Sequence, residues 1–392
     1  MNDKAKNFFK NLSNLPIKFK WLVIVCLIAA LGATLITTSV IYGRVGGYEG
    51  FKSAVSLMEA ANAINDNYIG DIDKAAMKNA AGAAMVTSLG DKWSYYMSPS
   101  EYEAYKLHSA NQYAGVGITI SKDEKTGGFK ITEVKENTPA AAAGLIAGQT
   151  VVSVDGEDVS GLTADGFREL VQSRVNAVIS LGISDGNETV EYKLDCSAIF
   201  ENPVSYEIMD DTVGYIKIKN FDAGSGEATI AAIDAVVSQG AASILFDVRD
   251  NGGGFLSELI KVLDYILPEG ELFISVDKNG REEVTKSDNI CLQMDMAVLI
   301  NENTYSAAEY FAAVLREYNW AVTVGAPTTG KGRSQTTIEL SDGSAIHISN
   351  RTYLTPNRVD LAMAGGITPD VPAYNTDDKN DVQLFKALDI LY

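Results

Sequence analysis

Two short segments of this 392-residue chain hold residue types suited to nucleophilic chemistry. Asn303-Thr304-Tyr305-Ser306-Ala307-Ala308-Glu309 follows an apolar run, Met296 to Ile300, and sets a serine at the start of a predicted helix. Thr329-Gly330-Lys331-Gly332-Arg333-Ser334-Gln335 offers a lone lysine between glycines. A serine hydroxyl becomes a nucleophile only beside a base. The chain has 2 histidines, His108 and His347, and neither has an evident acidic orienter. That leaves Lys331 as the candidate base. A free lysine has a pKa of about 10.4, so burial must lower it by roughly three units, or about 4 kcal/mol, for the amine to be neutral near pH 7. Thr329, Arg333 and Ser334 add no acid, and Gln335 is a neutral amide suited to hold the amine without raising its pKa.

Each segment also has a plainer reading. Ser306-Ala307-Ala308-Glu309 has the form of a capping box, in which serine and glutamate serve only the helix start. A lysine in a glycine turn is ordinarily solvated. A third segment bears on the choice. Asp247-Val248-Arg249-Asp250-Asn251-Gly252-Gly253-Gly254 ends a strand in three glycines, which lets backbone N–H groups approach a bound carbonyl. In a serine hydrolase the N–H groups of Ala307 and of Gly253, or of a neighbour of Gly253 in the Gly252–Gly254 loop, would then form the oxyanion hole.

The elements that must position these groups alternate. Val213–Ile218, Ser243–Val248, Met296–Ile300 and Ala321–Val324 read as apolar strands, with helices over 226–239, 255–267 and 306–318. That order predicts an α/β core with both sheet faces covered and the site at the carboxyl ends of the strands. A P-loop reading of Gly325 to Gly332 fails on two counts. Gly332 stands where a Ser or Thr must hold Mg²⁺, and the following Thr336 to Leu340 is strand-like rather than helical.

Residues 112–195 have a different texture, with short alternating strands and Gly-rich turns. Thr138-Pro139-Ala140, Ala143-Gly144-Leu145 and Gly148 to Gly156 resemble the middle of a PDZ domain, and Gly115-Val116-Gly117-Ile118 its carboxylate-binding loop. Upstream, residues 47–111 read as mainly helical, after a linker marked by Gly46, Gly47 and Gly50. Asp91 to Pro99 reads as a turn, and Ser98-Pro99-Ser100-Glu101 as a helix start.

Trp21 to Tyr42 carries no charged residue and is long enough to span a bilayer. Lys4, Lys6, Lys10, Lys18 and Lys20 precede it and only Arg44 follows closely, so residues 1–20 form a cytoplasmic tail and the remainder lies outside. A cleaved signal peptide is the alternative, but no Ala-x-Ala site follows. The net charge of −19 argues against nucleic-acid partners. Cys196 and Cys291 are either joined or two buried thiols. No His/Cys/Asp cluster has metal-ligand spacing, so neither metal nor cofactor is expected.

Taken together, the three segments in this order resemble the carboxy-terminal processing (tail-specific) serine proteases. Trp93-Ser94-Tyr95-Tyr96-Met97-Ser98-Pro99, Tyr353-Leu354-Thr355-Pro356 and Gly366-Ile367-Thr368-Pro369-Asp370 extend the likeness. The resemblance implies a crotonase-like (ClpP-like) α/β protease core over 196–392. It implies an inserted, mainly-β PDZ domain over 112–195 that binds protein C-termini; the helical region 47–111 then lies between that domain and the single-pass anchor read from Trp21 to Tyr42. It also implies a Ser306/Lys331 dyad assisted by Gln335, and a possible homodimer. Two departures stand out. Gly252 replaces the family's loop proline, and Val171-Gln172-Ser173 stands where the PDZ helix usually ends Ile-Arg-Gly, leaving Arg168 or Arg174 as substitutes for the missing arginine. The non-enzymatic alternative is an inactive, membrane-tethered PDZ scaffold.

Overall fold

A computed structural model describes residues 17–392 except Asn187, Asp211, residues 376–379 and Tyr392. Most of the cytoplasmic tail expected over 1–20, with Lys4, Lys6 and Lys10, therefore lies outside the described residues, as does Asn187 of a predicted turn. The chain divides into a unit ending at Lys78 and a unit from Asn79 to Tyr392. The division falls within the region 47–111 that the sequence reads as mainly helical.

The first unit holds α1 (Ile17–Arg44) and α2 (Gly47–Asn67). Within α1, Trp21–Val40 is long and apolar enough to cross a membrane, with a mean hydropathy of 2.3. The expected glycine linker is instead a tight turn, in which Gly46 and Gly47 have φ of 77° and 80°. Positive φ explains the glycines there, because a side chain would be strained. The boundary between the units falls within α3 (Lys74–Thr87).

The second unit continues with β1 (Tyr95–Met97) and α4 (Pro99–Ser109). A turn was expected at β1. The strand exists because it pairs with a strand far downstream, which three residues alone cannot announce. The α4 helix starts in a true capping box, with Ser98 and Glu101 each satisfying the other's backbone N–H.

β2 (Gln112–Gly115) leads into a small β domain and pairs with the strand that leaves it, β9 (Ser197–Phe200). Entry and exit therefore lie side by side, as an inserted domain requires. Between them run β3 (Ile118–Lys122), β4 (Phe129–Val134), α5 (Pro139–Ala142), β5 (Thr150–Val154), β6 (Glu157–Asp158), α6 (Ala164–Gln172), β7 (Val178–Ser184) and β8 (Thr189–Asp195). The sheet order is β3-β4-β5-β7-β8, which leaves β3 with a free edge. Phe129, Ile131, Val151, Phe167, Ile179 and Leu181 fill its core. Cys196 and Cys291 are free thiols, Cys196 buried with Sγ 3.3 Å from the Val171 carbonyl.

The remaining elements are β10 (Val204–Met209), β11 (Val213–Ile218), α7 (Ser225–Ser238), β12 (Ser243–Asp247), α8 (Leu256–Ile266), β13 (Gly270–Asp277), β14 (Glu282–Ser287), β15 (Asp295–Ile300), α9 (Ala307–Glu317), β16 (Ala321–Gly325), β17 (Arg333–Glu339), β18 (Ala345–Leu354), α10 (Leu361–Ala364), β19 (Val371–Pro372) and α11 (Val382–Leu391). A six-stranded sheet runs β10-β11-β12-β15-β16-β19, parallel from β11 onward. Its central strands β12 and β15 are buried on both faces, which is why they read as continuous apolar runs. A second, antiparallel sheet orders β1-β18-β13-β14, with β17 also on β18. The carboxyl ends of β12 and β15 open into the loops that hold the candidate site.

Just before that site, Asp247 is fully buried and Arg249 nearly so. The Arg249 guanidinium donates to Asp247, to Asp381 at 2.7 Å and to Gln383 at 3.1 Å, tying α11 to the end of β12. Replacing Arg249 with Leu strands a buried carboxylate. We expect it to cost about 3–5 kcal/mol, read as a lower denaturation midpoint in urea.

Candidate active site

Ser306 sits between β15 and α9, in a turn fixed from two sides. Thr304, fully buried, donates from Oγ1 to the Val248 carbonyl at 2.8 Å and accepts from the Asn301 N–H at 3.0 Å. Asn301 and Asn303 both donate to Asp250 Oδ1, at 2.8 and 2.9 Å. The Tyr305 N–H donates to the Asn251 carbonyl at 3.2 Å. The turn is thereby stitched to the glycine loop of residues 250–254. Ser306 itself has φ 59° and ψ −127°, an unusual conformation for a residue with a side chain. Such strain costs on the order of 1–3 kcal/mol and persists where the surroundings enforce it.

The capping-box reading of this tetrapeptide does not hold. The Ser306 side chain makes no cap bond. Glu309, fully buried, sends its carboxylate elsewhere. It accepts from the Gly330 N–H at 2.7 Å, the Lys331 N–H at 2.9 Å and the Thr328 hydroxyl. Burial pushes this carboxyl above the usual carboxylate range, and the three hydrogen bonds work against that rise. The glutamate on the serine's helix therefore grips the backbone of the lysine's loop.

Lys331 is buried, not solvated. Desolvation lowers its amine to about 8 from the ordinary lysine value, while the charge of Asp91 opposes the fall. The sequence placed no acid beside this lysine, and Asp91 is that acid, brought by tertiary contact. The amine lies 4.6 Å from the ring centre of Trp93 and 5.8 Å from that of Tyr305. Ser306 and Lys331 line one cavity of about 920 Å³, together with Gly253, Ala307, Gln335 and Tyr353. The Tyr353 phenol donates to the Lys331 carbonyl. Burial pushes that phenol up, and a hydrogen bond with Ser306 acts in the other direction.

The other predicted residues are placed as follows. Gln335 lines the cavity, but its Nε2 donates to the Arg333 carbonyl at 2.9 Å and to Ser349 Oγ at 3.1 Å, not to the amine. The Ala307 N–H, at the first helical position, has no hydrogen-bond acceptor among the described residues. The Gly253 N–H is committed to Asn251 Oδ1 at 2.8 Å. In the small β domain, Gly115 ends β2 and Ile118 starts β3. Between them the Val116 and Gly117 carbonyls accept from Ala140 and Lys135, each at 2.9 Å. Gly117 has φ 88° and packs so closely on Thr138 that a Cβ would overlap it. Neither arginine replaces the missing family residue. Arg168 pairs with Asp165, and Arg174 with Asp155 at 3.3 Å, all inside the same domain.

Four residues escaped the sequence reading. Glu309 was read only as a cap. Trp93 and Asp91 belong to a segment remote in sequence. Asp222 stands 3.6 Å from His108 Nδ1 on the cavity wall, an acidic neighbour that the sequence did not reveal. Burial raises its carboxyl to about 6, against the effect of His108. His347, the other histidine, accepts or donates at Nδ1 with the Thr337 hydroxyl at 2.9 Å, and burial lowers it to about 4 with help from the Lys331 charge.

Two stretches of the chain match known families. Residues 212–373 match the model of Peptidase family S41, and residues 130–184 match that of a PDZ domain. The chain is similar to a probable CtpA-like serine protease of Staphylococcus haemolyticus (strain JCSC1435), 28% identical over 369 residues, covering 91% of this chain and 74% of the relative. It is similar to the chloroplastic carboxyl-terminal-processing peptidase 2 of Arabidopsis thaliana, 27% identical over 312 residues, covering 76% of this chain and 60% of the relative. Among solved structures, the photosystem II D1 C-terminal processing protease shares the fold with a TM-score of 0.51, at 24% identity, over 88% of this chain and 92% of that one.

The Lys331 shift gives a stability prediction. The folded amine titrates at about 8 and the unfolded amine near 10.5. Its contribution is present above the unfolded value and is lost as pH falls from 10.5 through 8. Below that window the folded protein holds a buried charge. Lys331→Met should therefore be more stable than the wild type at pH 7, by on the order of 2–3 kcal/mol. The gain should shrink between the two pKa values, as followed by urea unfolding at several pH values.

Proposed function

We propose that this chain, a serine-type carboxy-terminal processing peptidase with a PDZ domain, is a membrane-anchored endopeptidase with a Ser306/Lys331 dyad. The observation that carries this reading is one cleft lined by an uncapped, strained serine and a buried amine drawn down to about 8. At that value a useful fraction of Lys331 is neutral near pH 7, and its proton affinity suits general base catalysis.

In this reading neutral Lys331 takes the Ser306 proton as the hydroxyl attacks the scissile carbonyl, forming an acyl-enzyme. It then returns the proton to the leaving amine and activates water for deacylation. The unpartnered Ala307 N–H, aided by the helix start, supports the developing oxyanion. Gly253 joins it once its N–H exchanges Asn251 Oδ1 for the oxyanion. Gln335 braces the strand beside the amine, not the amine itself.

The substrate is a protein with an exposed C-terminus. Its tail adds as a strand to the free edge of β3, with its terminal carboxylate at the loop of Gly115, Val116, Gly117 and Ile118. The apolar span Trp21–Val40 anchors the protein in the cell membrane as a single pass, and the lysine-rich N-terminus keeps the catalytic domain outside the cytoplasm. The core is crotonase-like. A homodimer through the N-terminal helices fits the exposed Leu57, Met58 and Ile64 of α2.

A fluorophosphonate probe should label Ser306 in the full chain, and Ser306→Ala and Lys331→Ala should each abolish both cleavage of a peptide substrate and labelling, while leaving the circular dichroism spectrum intact. Full activity of Lys331→Ala near pH 7 would refute the base assignment, and an unlabelled wild type would favour the inactive scaffold.

A further inference from the structure

We infer that Trp93 is a positioning residue for the general base, its indole forming with the Tyr305 ring a dry sleeve that holds the Lys331 amine at the cleft. The inference rests on the reading of Lys331 as the base and extends it to a residue outside the segment that matches the peptidase family.

The geometry is specific. The two rings lie 5.5 Å apart between centroids, inclined by 35°, and the amine is within 6 Å of both. An ammonium is attracted to an aromatic face at that range. Tyr305 adjoins Ser306, so the turn that aims the nucleophile also sets one wall of the sleeve. Trp93 supplies the other wall from a segment that precedes the PDZ domain.

That segment is tethered to the strands flanking the site. Asp91 accepts from the Trp93 N–H at 3.1 Å and from the Ser94 hydroxyl at 2.5 Å. Ser94 Oγ accepts from the Ser349 N–H at 3.0 Å, and the Ser349 hydroxyl accepts from Gln335 at 3.1 Å. β1 then adds to β18 with Tyr95 opposite His347. The glutamine expected to hold the amine instead bonds Ser349 on β18, the residue whose N–H tethers the segment that bears the indole.

Two effects of the sleeve oppose each other. Excluding water disfavours the ammonium, and the ring faces favour it. Burial lowers the Lys331 amine and the Asp91 charge raises it. Water exclusion is taken as the larger effect of the two rings, and the pH profile below decides it. The other groups near the amine are few. Asp91 favours its charged form, His347 on β18 is held neutral, and exposed Lys92 sits 4.5 Å from the centre of the same indole. Glu309 and Tyr353 engage the Lys331 backbone, not its amine.

The test is the pH profile of kcat/KM for a peptide substrate, measured on the full chain for the wild type, Trp93→Phe, Trp93→Ala and Lys331→Ala. Trp93→Ala admits water to the amine. Its acidic limb should move up by about one pH unit, so that activity at pH 7 falls about tenfold and recovers in alkali. Trp93→Phe should keep the limb within a few tenths of a unit. An unmoved limb in Trp93→Ala, with activity either retained or lost equally at every pH, overturns the inference. If Lys331→Ala is then inactive throughout, the base reading survives that failure. A wild-type profile in Lys331→Ala overturns both. Should Trp93→Ala not fold, Trp93→Leu, smaller and without the flat face, carries the same test with the same expected direction.

Discussion

The arrangement of the site depends on one buried carboxylate. Glu309 lies on α9, one turn after Ser306, yet its oxygens accept from the backbone of Gly330 and Lys331 and from Thr328. A helix and the loop after β16 are thereby locked together, and with them the serine and the lysine. Removing such an acceptor leaves buried N–H donors without partners, which is more costly than the bonds are individually worth. The carboxyl's raised pKa records what desolvation takes from this arrangement. With the glutamate engaged there, the Ser306 tetrapeptide closes no capping box.

The electrostatics of Lys331 follow from a balance, not from isolation. The whole chain is strongly acidic, at −19, and a lysine on such a surface would gain proton affinity. Burial overrides that field at this one position. Asp91 restores part of what burial takes, and its own carboxylate is bound to Ser94 and the Trp93 N–H. An amine lowered to about 8 keeps an appreciable neutral fraction near pH 7 while still holding protons more tightly than an imidazole.

Much of this was legible in the residues. Apolar strands buried on both faces and helices of regular period gave the α/β order within one or two residues, from Val213–Ile218 to Ala321–Gly325. Ser306 and Lys331 each had an ordinary reading alone and stood out only in combination with the glycine loop of residues 247–254. What stayed hidden is what tertiary contact alone creates. Nothing in Asp91-Lys92-Trp93 points to a lysine more than two hundred positions away, and β1 is a strand only because β18 accepts it. Glu309 was visible but misassigned, since its spacing from Ser306 satisfies a local rule that the fold does not use. Gln335 was visible too, and its amide turned to Ser349 because β17 and β18 bring that hydroxyl closer than the amine.

The same logic accounts for a departure from the family resemblance. Gly252 occupies the place of the loop proline, and φ there is not positive, so backbone freedom does not explain the glycine. Space does. A Cβ at Gly252 would stand 2.6 Å from the Tyr305 hydroxyl and 2.8 Å from its ring carbon, and one at Gly253 would stand 2.7 Å from the Ala307 nitrogen. Contacts that short force something to move. A proline ring at 252 would push the Tyr305 ring away from this place, and that ring is one of the two that line the Lys331 amine. The bare loop and the aromatic wall therefore belong to one solution. The loop gives up stiffness beside Ala307, and the space it vacates lets Tyr305 lie beside the Lys331 amine.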